Sequence, residues 1–235
     1  MQKSMLKLLS VADGVTILNA VFGFIALLLV FSSEFQLAAS LILLGLLADG
    51  LDGMIARRMG NGQLGQYLET IADLISLSVA PLALVYQIYS ETLHAEFSTQ
   101  LLLGVVLVCS FICSIIRLSS FSFLKNKEFF IGLPTSASAI FLVSVSYLKP
   151  TLWVVLPLIL IFSFAMISSV QFLKPGIRLN LIATVFIVAT IILNGKYANI
   201  APLLLVISLA CYIIGGSFFL YFKKNQMKKM QGSHN

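Results

Sequence analysis

Apolar residues run almost unbroken along this chain, stopping at short polar or Gly/Pro clusters and then resuming. The interruptions at Ser32-Ser33, Gly60-Asn61-Gly62, Lys149-Pro150, Lys174-Pro175-Gly176 and Asn194-Gly195 are all of the turn-forming or helix-breaking kind. Between them the pattern predicts about eight helical membrane segments, at 14–32, 35–58, 63–89, 98–121, 133–148, 152–172, 179–195 and 199–222. Several of these runs reach the roughly 20 residues that a helix needs to cross a bilayer. The fifth is short and suits a place inside the bundle. Before residue 14, Met5, Leu6, Leu8 and Leu9 stand beside Lys3 and Lys7, so residues 1–13 predict a short amphipathic helix lying on the membrane surface.

Composition sharpens this picture. The chain is 59% hydrophobic and only 10% charged, whereas a soluble domain has about a quarter of its residues charged. A mean hydropathy of +1.02 agrees. A soluble globular protein is thereby excluded, and no cleavable signal peptide is expected. Cys109, Cys113 and Cys211 all sit inside apolar runs without the paired spacing of a zinc site, and read as small packing residues.

Basic residues set the expected orientation. With a cytoplasmic N-terminus, Lys3, Lys7, Arg57, Arg58, Arg117, Lys125, Lys127, Lys174, Arg178, Lys223, Lys224, Lys228 and Lys229 fall on the cytoplasmic side, and only Lys149 and Lys196 on the other. Both termini are therefore expected to be cytoplasmic. The net charge of +6 is accounted for by this topology and by attraction to anionic lipid, so nucleic acid is not an expected partner. Residues 223–235 read as a basic cytoplasmic tail without regular structure.

A charge inside a membrane span costs about 2.5–3.5 kcal/mol even on lenient insertion scales, so each one needs a partner or a role. Here the acids are clustered. Asp49 and Asp52 lie near the cytoplasmic end of the second segment, Glu69 and Asp73 near the start of the third, with a tight turn between. Each pair is spaced to share one helix face, and an antiparallel hairpin would bring the faces together. Two like charges about 4 Å apart repel by about 4 kcal/mol at an effective dielectric of 20. Arg57 and Arg58 are too few to neutralise four anions. Protonation would relieve the repulsion, but hard divalent cations on carboxylate oxygens do so better. Magnesium or manganese suits an all-oxygen site, and two ions about 4 Å apart suit in-line phosphoryl chemistry. Gly53 and Ala56 leave room beside the acids for a flat group such as a nucleoside, and Arg57 is placed for a phosphate. Read alone, Gly53 and Ala56 are also ordinary packing residues of membrane helices.

The string Asp49-x-x-Asp52-Gly53-x-x-Ala56-Arg57, then Gly65-x-x-x-Glu69-x-x-x-Asp73, resembles the signature of the CDP-alcohol phosphotransferases, with Glu69 standing where the family has aspartate. The resemblance implies a membrane enzyme that moves a phosphatidyl-type group from a CDP-linked lipid to an alcohol and releases CMP. It implies an all-α fold with a six-helix core, a homodimer, and a polar cavity open to the cytoplasm. Asp49, Asp52, Glu69 and Asp73 would ligate the divalent metal, and Asp73 would also be the general base. Asp49, Asp52, Gly53, Ala56, Arg57 and Gly65 would contact the CDP moiety. The histidines agree with a carboxylate base, since His94 lies in an outer loop and His234 in the tail.

Looser matches resemble the phosphatidylserine synthase branch: Ala12-Asp13 through Thr16 and Asn19 to Gly23, then Arg117-Leu118 and Phe130-Ile131-Gly132-Leu133-Pro134-Thr135. Ser122 and Ser136 depart from the residues usual there. The resemblance covers roughly residues 10–175, giving a core at 14–175 and an additional hairpin at 176–222. The acceptor is then expected to be serine, held by Arg117, Lys125, Lys127, Gly132, Pro134 and Thr135. Pro134 suits the first turn of a helix, whose free amides hold an anion. The same cations also serve as topology-setting residues. Glycerol 3-phosphate or an inositol phosphate is the alternative acceptor, and the lipid is CDP-diacylglycerol or CDP-archaeol. A divalent-cation transporter is the rival from another class, but it would place acids near mid-membrane on several spans. The expected location is the plasma membrane of a prokaryote, with the active site facing the cytoplasm.

Overall fold

The computed structural model describes residues 8–59, 64–93, 97–121, 123, 129–174, 176–193 and 199–232, with the helix backbone alone at 56–59, 92, 93, 177, 178 and 217–232. Helices occupy every segment that the apolar pattern marks. They are α1 (Val11–Phe31), α2 (Phe35–Met59), α3 (Gly65–Asp73), α4 (Ala80–Leu93), α5 (Phe97–Ser120), α6 (Thr135–Leu148), α7 (Leu152–Ile167), α8 (Ile177–Leu193) and α9 (Ile200–Gly232). Helices α3 and α4 belong to one apolar stretch, Gly65–Glu91, joined through a π-helical segment, Leu74–Val79.

By length and composition four stretches can cross a membrane: Val11–Phe31, Phe35–Ile55, Gly65–Glu91 and Phe97–Ser120. Shorter apolar helices follow at Thr135–Leu148, Leu152–Ile167, Leu179–Leu193 and Ile200–Gly216. Exposed Ile17, Val21, Phe24 and Leu28 on α1, and Leu101, Val105, Val108 and Ile112 on α5, give these helices apolar outer faces. In a protein with so few charges, lipid is the solvent that such faces suit. The chain is a mostly helical integral membrane protein.

Helix α6 occupies the middle of the bundle. Thr135, Ala137, Ser138, Ala139, Phe141, Leu142, Val143, Ser144, Val145, Ser146 and Tyr147 are all buried. Two of its serines return their hydroxyls to the helix, Ser144 to the Ile140 carbonyl at 2.7 Å and Ser146 to the Val143 carbonyl at 2.6 Å. These two hydroxyls therefore reach the core with their donors satisfied. The short fifth segment packs inside the bundle, as its length suggested.

The sequence-based boundaries need four corrections. Helix α1 starts at Val11, so residues 11–13 belong to it and not to a surface helix; residues 1–7 lie outside the described residues. The cause is a capping box: the Asp13 amide donates to Ser10 Oγ at 3.3 Å, and the Ser10 amide donates to Asp13 Oδ2 at 2.7 Å. Pro134 is the N-cap of α6, with extended backbone, one position before the first helical turn expected for it. Helix α7 ends at Ile167, short of the expected 172, because Ser168 turns its hydroxyl onto the Ala165 carbonyl at 2.9 Å and accepts from the Val170 amide at 3.3 Å. In the basic tail, the backbone of α9 stays helical to Gly232, where Lys, Gln and Met are good helix formers.

The all-α expectation also missed a small ribbon. Strand β1 (Phe129–Ile131) pairs antiparallel with β2 (Gln171–Leu173), matching Phe130 with Phe172. Beyond β1 the chain turns at Gly132, whose φ of +77° favours glycine, and a Cβ there would run into the Met166 carbonyl. The ribbon sits at the end of the bundle that carries the acidic hairpin.

Candidate active site

Helices α2 and α3 bring the two acid pairs against each other, as their spacing predicted. Asp49 and Asp73 lie within hydrogen-bond reach, a contact that two carboxyl groups make only with a proton or a cation between them. Glu69 and Asp52 are near enough to add repulsion to both. Helix α1 steadies this arrangement. Thr16 Oγ1 donates to Asp52 Oδ2 at 2.6 Å, and Asn19 Nδ2 donates to Asp73 Oδ1 at 3.1 Å. Each α1 residue thus fixes an acid on a different helix. The close approach of α1 depends on Gly23, where a Cβ would stand 2.6 Å from Ser76 Cα in the π segment.

A cavity of about 150 Å³ opens beside the acids, lined by Asp49, Glu69 and Asp73 on one side and by Arg117, Phe121, Phe130, Pro134, Thr135 and Ser136 on the other. Arg117 is 6% exposed, its Nε donates to the Leu133 carbonyl at 3.1 Å, and its guanidinium carbon lies 5.6 Å from the centroid of the Phe121 ring. Phe121 and Phe130 meet at a centroid distance of 6.3 Å, and Lys174 Nζ lies 5.4 Å from the centroid of Phe130. A second, smaller cavity of about 20 Å³ is lined by Ala12, Asp13, Thr16, Asp52, Gly53, Gly65 and Glu69. Glu69 borders both spaces, so the two cavities share one acidic partition.

The sequence-derived set is only partly brought together. Asp49, Glu69, Asp73, Arg117, Pro134 and Thr135 line the larger cavity, and Asp52, Gly53, Gly65 and Thr16 the smaller. Gly132 lines neither; it makes the turn that delivers Pro134 and Thr135. Lys125 and Lys127 lie outside the described residues, as do the side chains of Ala56 and Arg57, although α2 runs through both positions. Sequence reasoning missed Gln66, Thr70, Phe121 and Ser136 in the cavity wall. Gln66 and Thr70 could have been found, since both share the helix face of Glu69 and Asp73.

Among the described residues, no three acids surround one point in metal-holding geometry. The donor chemistry nevertheless fits a hard divalent cation: four carboxylates on facing helices, two of them in contact. Beside them, Asn19 Oδ1 is buried without a hydrogen-bond partner.

Comparison with known proteins agrees with the site. The family model described as CDP-alcohol phosphatidyltransferase matches residues 9–214, past residue 175 where the looser motif resemblance stops. A Methanocaldococcus jannaschii protein named CDP-diacylglycerol–serine O-phosphatidyltransferase is 33% identical over 172 residues, covering 73% of this chain and 77% of that one. The archaetidylserine synthase of Methanothermobacter thermautotrophicus is 31% identical over 142 residues, 59% of this chain and 58% of that one. A Bacillus subtilis protein, also named CDP-diacylglycerol–serine O-phosphatidyltransferase, is 30% identical over 136 residues, 57% of this chain and 73% of that one. With the family model matched along most of its length and the acidic hairpin folded face to face, this chain belongs to the CDP-alcohol phosphatidyltransferase family.

Proposed function

We propose that this chain transfers a phosphatidyl-type group from a CDP-linked lipid, CDP-diacylglycerol or CDP-archaeol, to the hydroxyl of serine and releases CMP. The observation that carries the acceptor reading is the larger cavity, which sets the acids opposite the buried cation Arg117 and the first residues of α6. A zwitterionic amino acid with a hydroxyl suits those two walls. The names of the relatives support the same acceptor.

Asp73 is the general base. Asn19 orients its carboxyl by donating to Oδ1, and Asp73 takes the proton of the serine hydroxyl as that oxygen attacks the lipid-side phosphorus in line. The bond between this phosphorus and the CMP oxygen breaks, and CMP leaves with the electron pair. Arg117 and the amides opening α6 hold the serine carboxylate. Gly53 and Gly65, which border the smaller cavity beside Asp52, put no side chain in the way of the cytidine nucleotide. Asp49, Asp52, Glu69 and Asp73 would hold two Mg²⁺ or Mn²⁺ ions, which neutralise the diphosphate and polarise the phosphorus when bound.

The thirteen-to-two division of basic residues supports eight spans with both termini and the cavity on the cytoplasmic side of a prokaryotic plasma membrane. The family resemblance supports a homodimer, which light scattering of the purified protein would check.

The test is CMP release by the purified full-length protein with CDP-diacylglycerol or CDP-archaeol, manganese or magnesium, and a panel of hydroxyl acceptors. Release that depends on serine is expected. Release only with glycerol 3-phosphate or an inositol phosphate would keep the family chemistry and overturn the acceptor.

A further inference from the structure

Behind the cationic wall stands α9, beyond the stretch that carries the motif resemblance. Its Tyr212 donates the phenol hydroxyl to the Leu173 carbonyl at 2.8 Å. One turn further along, Gly216 lies so close that a Cβ there would sit 3.1 Å from Leu173 Cβ. Leu173 ends β2 and pairs with Phe129, so α9 is fastened to the ribbon at one point by a hydrogen bond and a close packing contact.

From that point an unbroken run of main-chain bonds leads to the cavity. Strand β2 holds β1, whose Phe130 lines the wall. After β1, the Gly132 amide donates to the Val170 carbonyl at 2.8 Å and the Leu133 amide to the Ala165 carbonyl at 2.9 Å. The Leu133 carbonyl in turn accepts from Arg117 Nε at 3.1 Å. Pro134, the next residue, caps α6 and lines the cavity. Phe130, Arg117 and the start of α6 therefore take their places from the ribbon, and the ribbon is held against the bundle by α9.

We infer that Tyr212 is a positioning residue for the acceptor: by pinning Leu173 it fixes the ribbon, and through Leu133 it sets the guanidinium of Arg117. The inference rests on the acceptor reading above for the identity of the small carboxylate-bearing substrate. The coupling from α9 to the ribbon stands on the hydrogen bonds alone. The acidic wall, held by α1, is outside this chain of contacts, so the CDP-lipid half of the site should not respond.

The test compares full-length Tyr212→Phe with wild type in two readouts. Initial rates of CMP release, with serine and CDP-diacylglycerol varied in turn, should show the serine KM raised about threefold to tenfold, the range for one lost hydrogen bond. The KM for the CDP-lipid should stay within about twofold of wild type, a change too small to count as a lost hydrogen bond. Hydrogen exchange of the peptide spanning 129–135 should be faster in the variant. Gly216→Ala, which presses on Leu173 while leaving the phenol in place, should move both readouts the same way. A serine KM and exchange rate equal to wild type would overturn the inference, whatever happens to Tm; so would equal rises in both KM values. If wild type shows no serine-dependent release, the acceptor reading falls and exchange alone decides: faster exchange sustains the coupling, and unchanged exchange overturns it.

Discussion

On one side of the cavity the acids come from two consecutive helices, within residues 49–73. The opposite side gathers Arg117 from α5, Phe130 from β1, and Pro134 and Thr135 at the start of α6, braced by the carbonyls of Ala165, in the last turn of α7, and of Val170 beyond it. The acidic side is held together against its own repulsion by side chains of α1; the cationic side is held by main-chain bonds. A site half can thus be specified by residue spacing or by where the backbone is tied down. The first kind is written in a short stretch of sequence, and the second is spread along the chain.

Substitutions separate the two kinds. The largest effect is expected from Asp73→Asn, which removes the base while keeping the shape of the side chain. CMP release should fall by about a hundredfold to ten-thousandfold, the usual contribution of a general base, with Tm close to wild type. A residual rate near wild type would move the base to another acid. Across the cavity, Arg117→Met removes a buried cation and its bond to Leu133. The serine KM should rise roughly tenfold to a hundredfold while the CDP-lipid KM holds, as for loss of a charged hydrogen bond. A rise in the lipid KM alone would assign Arg117 to the nucleotide side and collapse the distinction between the walls.

Thr16→Val sharpens the comparison from the acidic side. It keeps the volume of the side chain and removes the 2.6 Å bond to Asp52. The expected loss is about tenfold in kcat/KM for the CDP-lipid, at the lower end for a hydrogen bond to a charged group, with the serine KM unchanged. The smallest effect belongs to Lys174→Met, which removes the cation over Phe130. A contact of this kind is worth about 0.5–1 kcal/mol when exposed, so Tm should drop by only a few degrees. A large change in serine KM there would make Lys174 part of the acceptor site.

The acidic hairpin was legible in the sequence because helix geometry converts three- and four-residue spacings directly into shared faces. Thr16 and Asn19 were legible only as a resemblance; that they fix Asp52 and Asp73 depends on the crossing of α1 over the hairpin. The ribbon was not legible at all. Phe129–Ile131 and Gln171–Leu173 are three residues each, too short for a period to declare itself, and they pair across a separation that spans two helices. The end of α7 was hidden for a related reason: Ser168 stops the helix through its own hydroxyl, and serines inside other helices here do not. The Ser10-to-Asp13 spacing that starts α1 was in plain view, and a capping-box reading would have placed the boundary correctly.

The π segment after Asp73 has a consequence for how one helix meets two sets of neighbours. A turn closed from i to i+5 holds one residue more than an α turn. The stretch Leu74–Val79 therefore works as a phase shifter between two halves of one rod. Upstream, Glu69 and Asp73 keep the angular setting that points them at Asp49; downstream, α4 keeps the setting that buries Leu84, Val85 and Ile88. The extra residue lets each half hold its own angle, so one continuous rod serves both the acids and the apolar core.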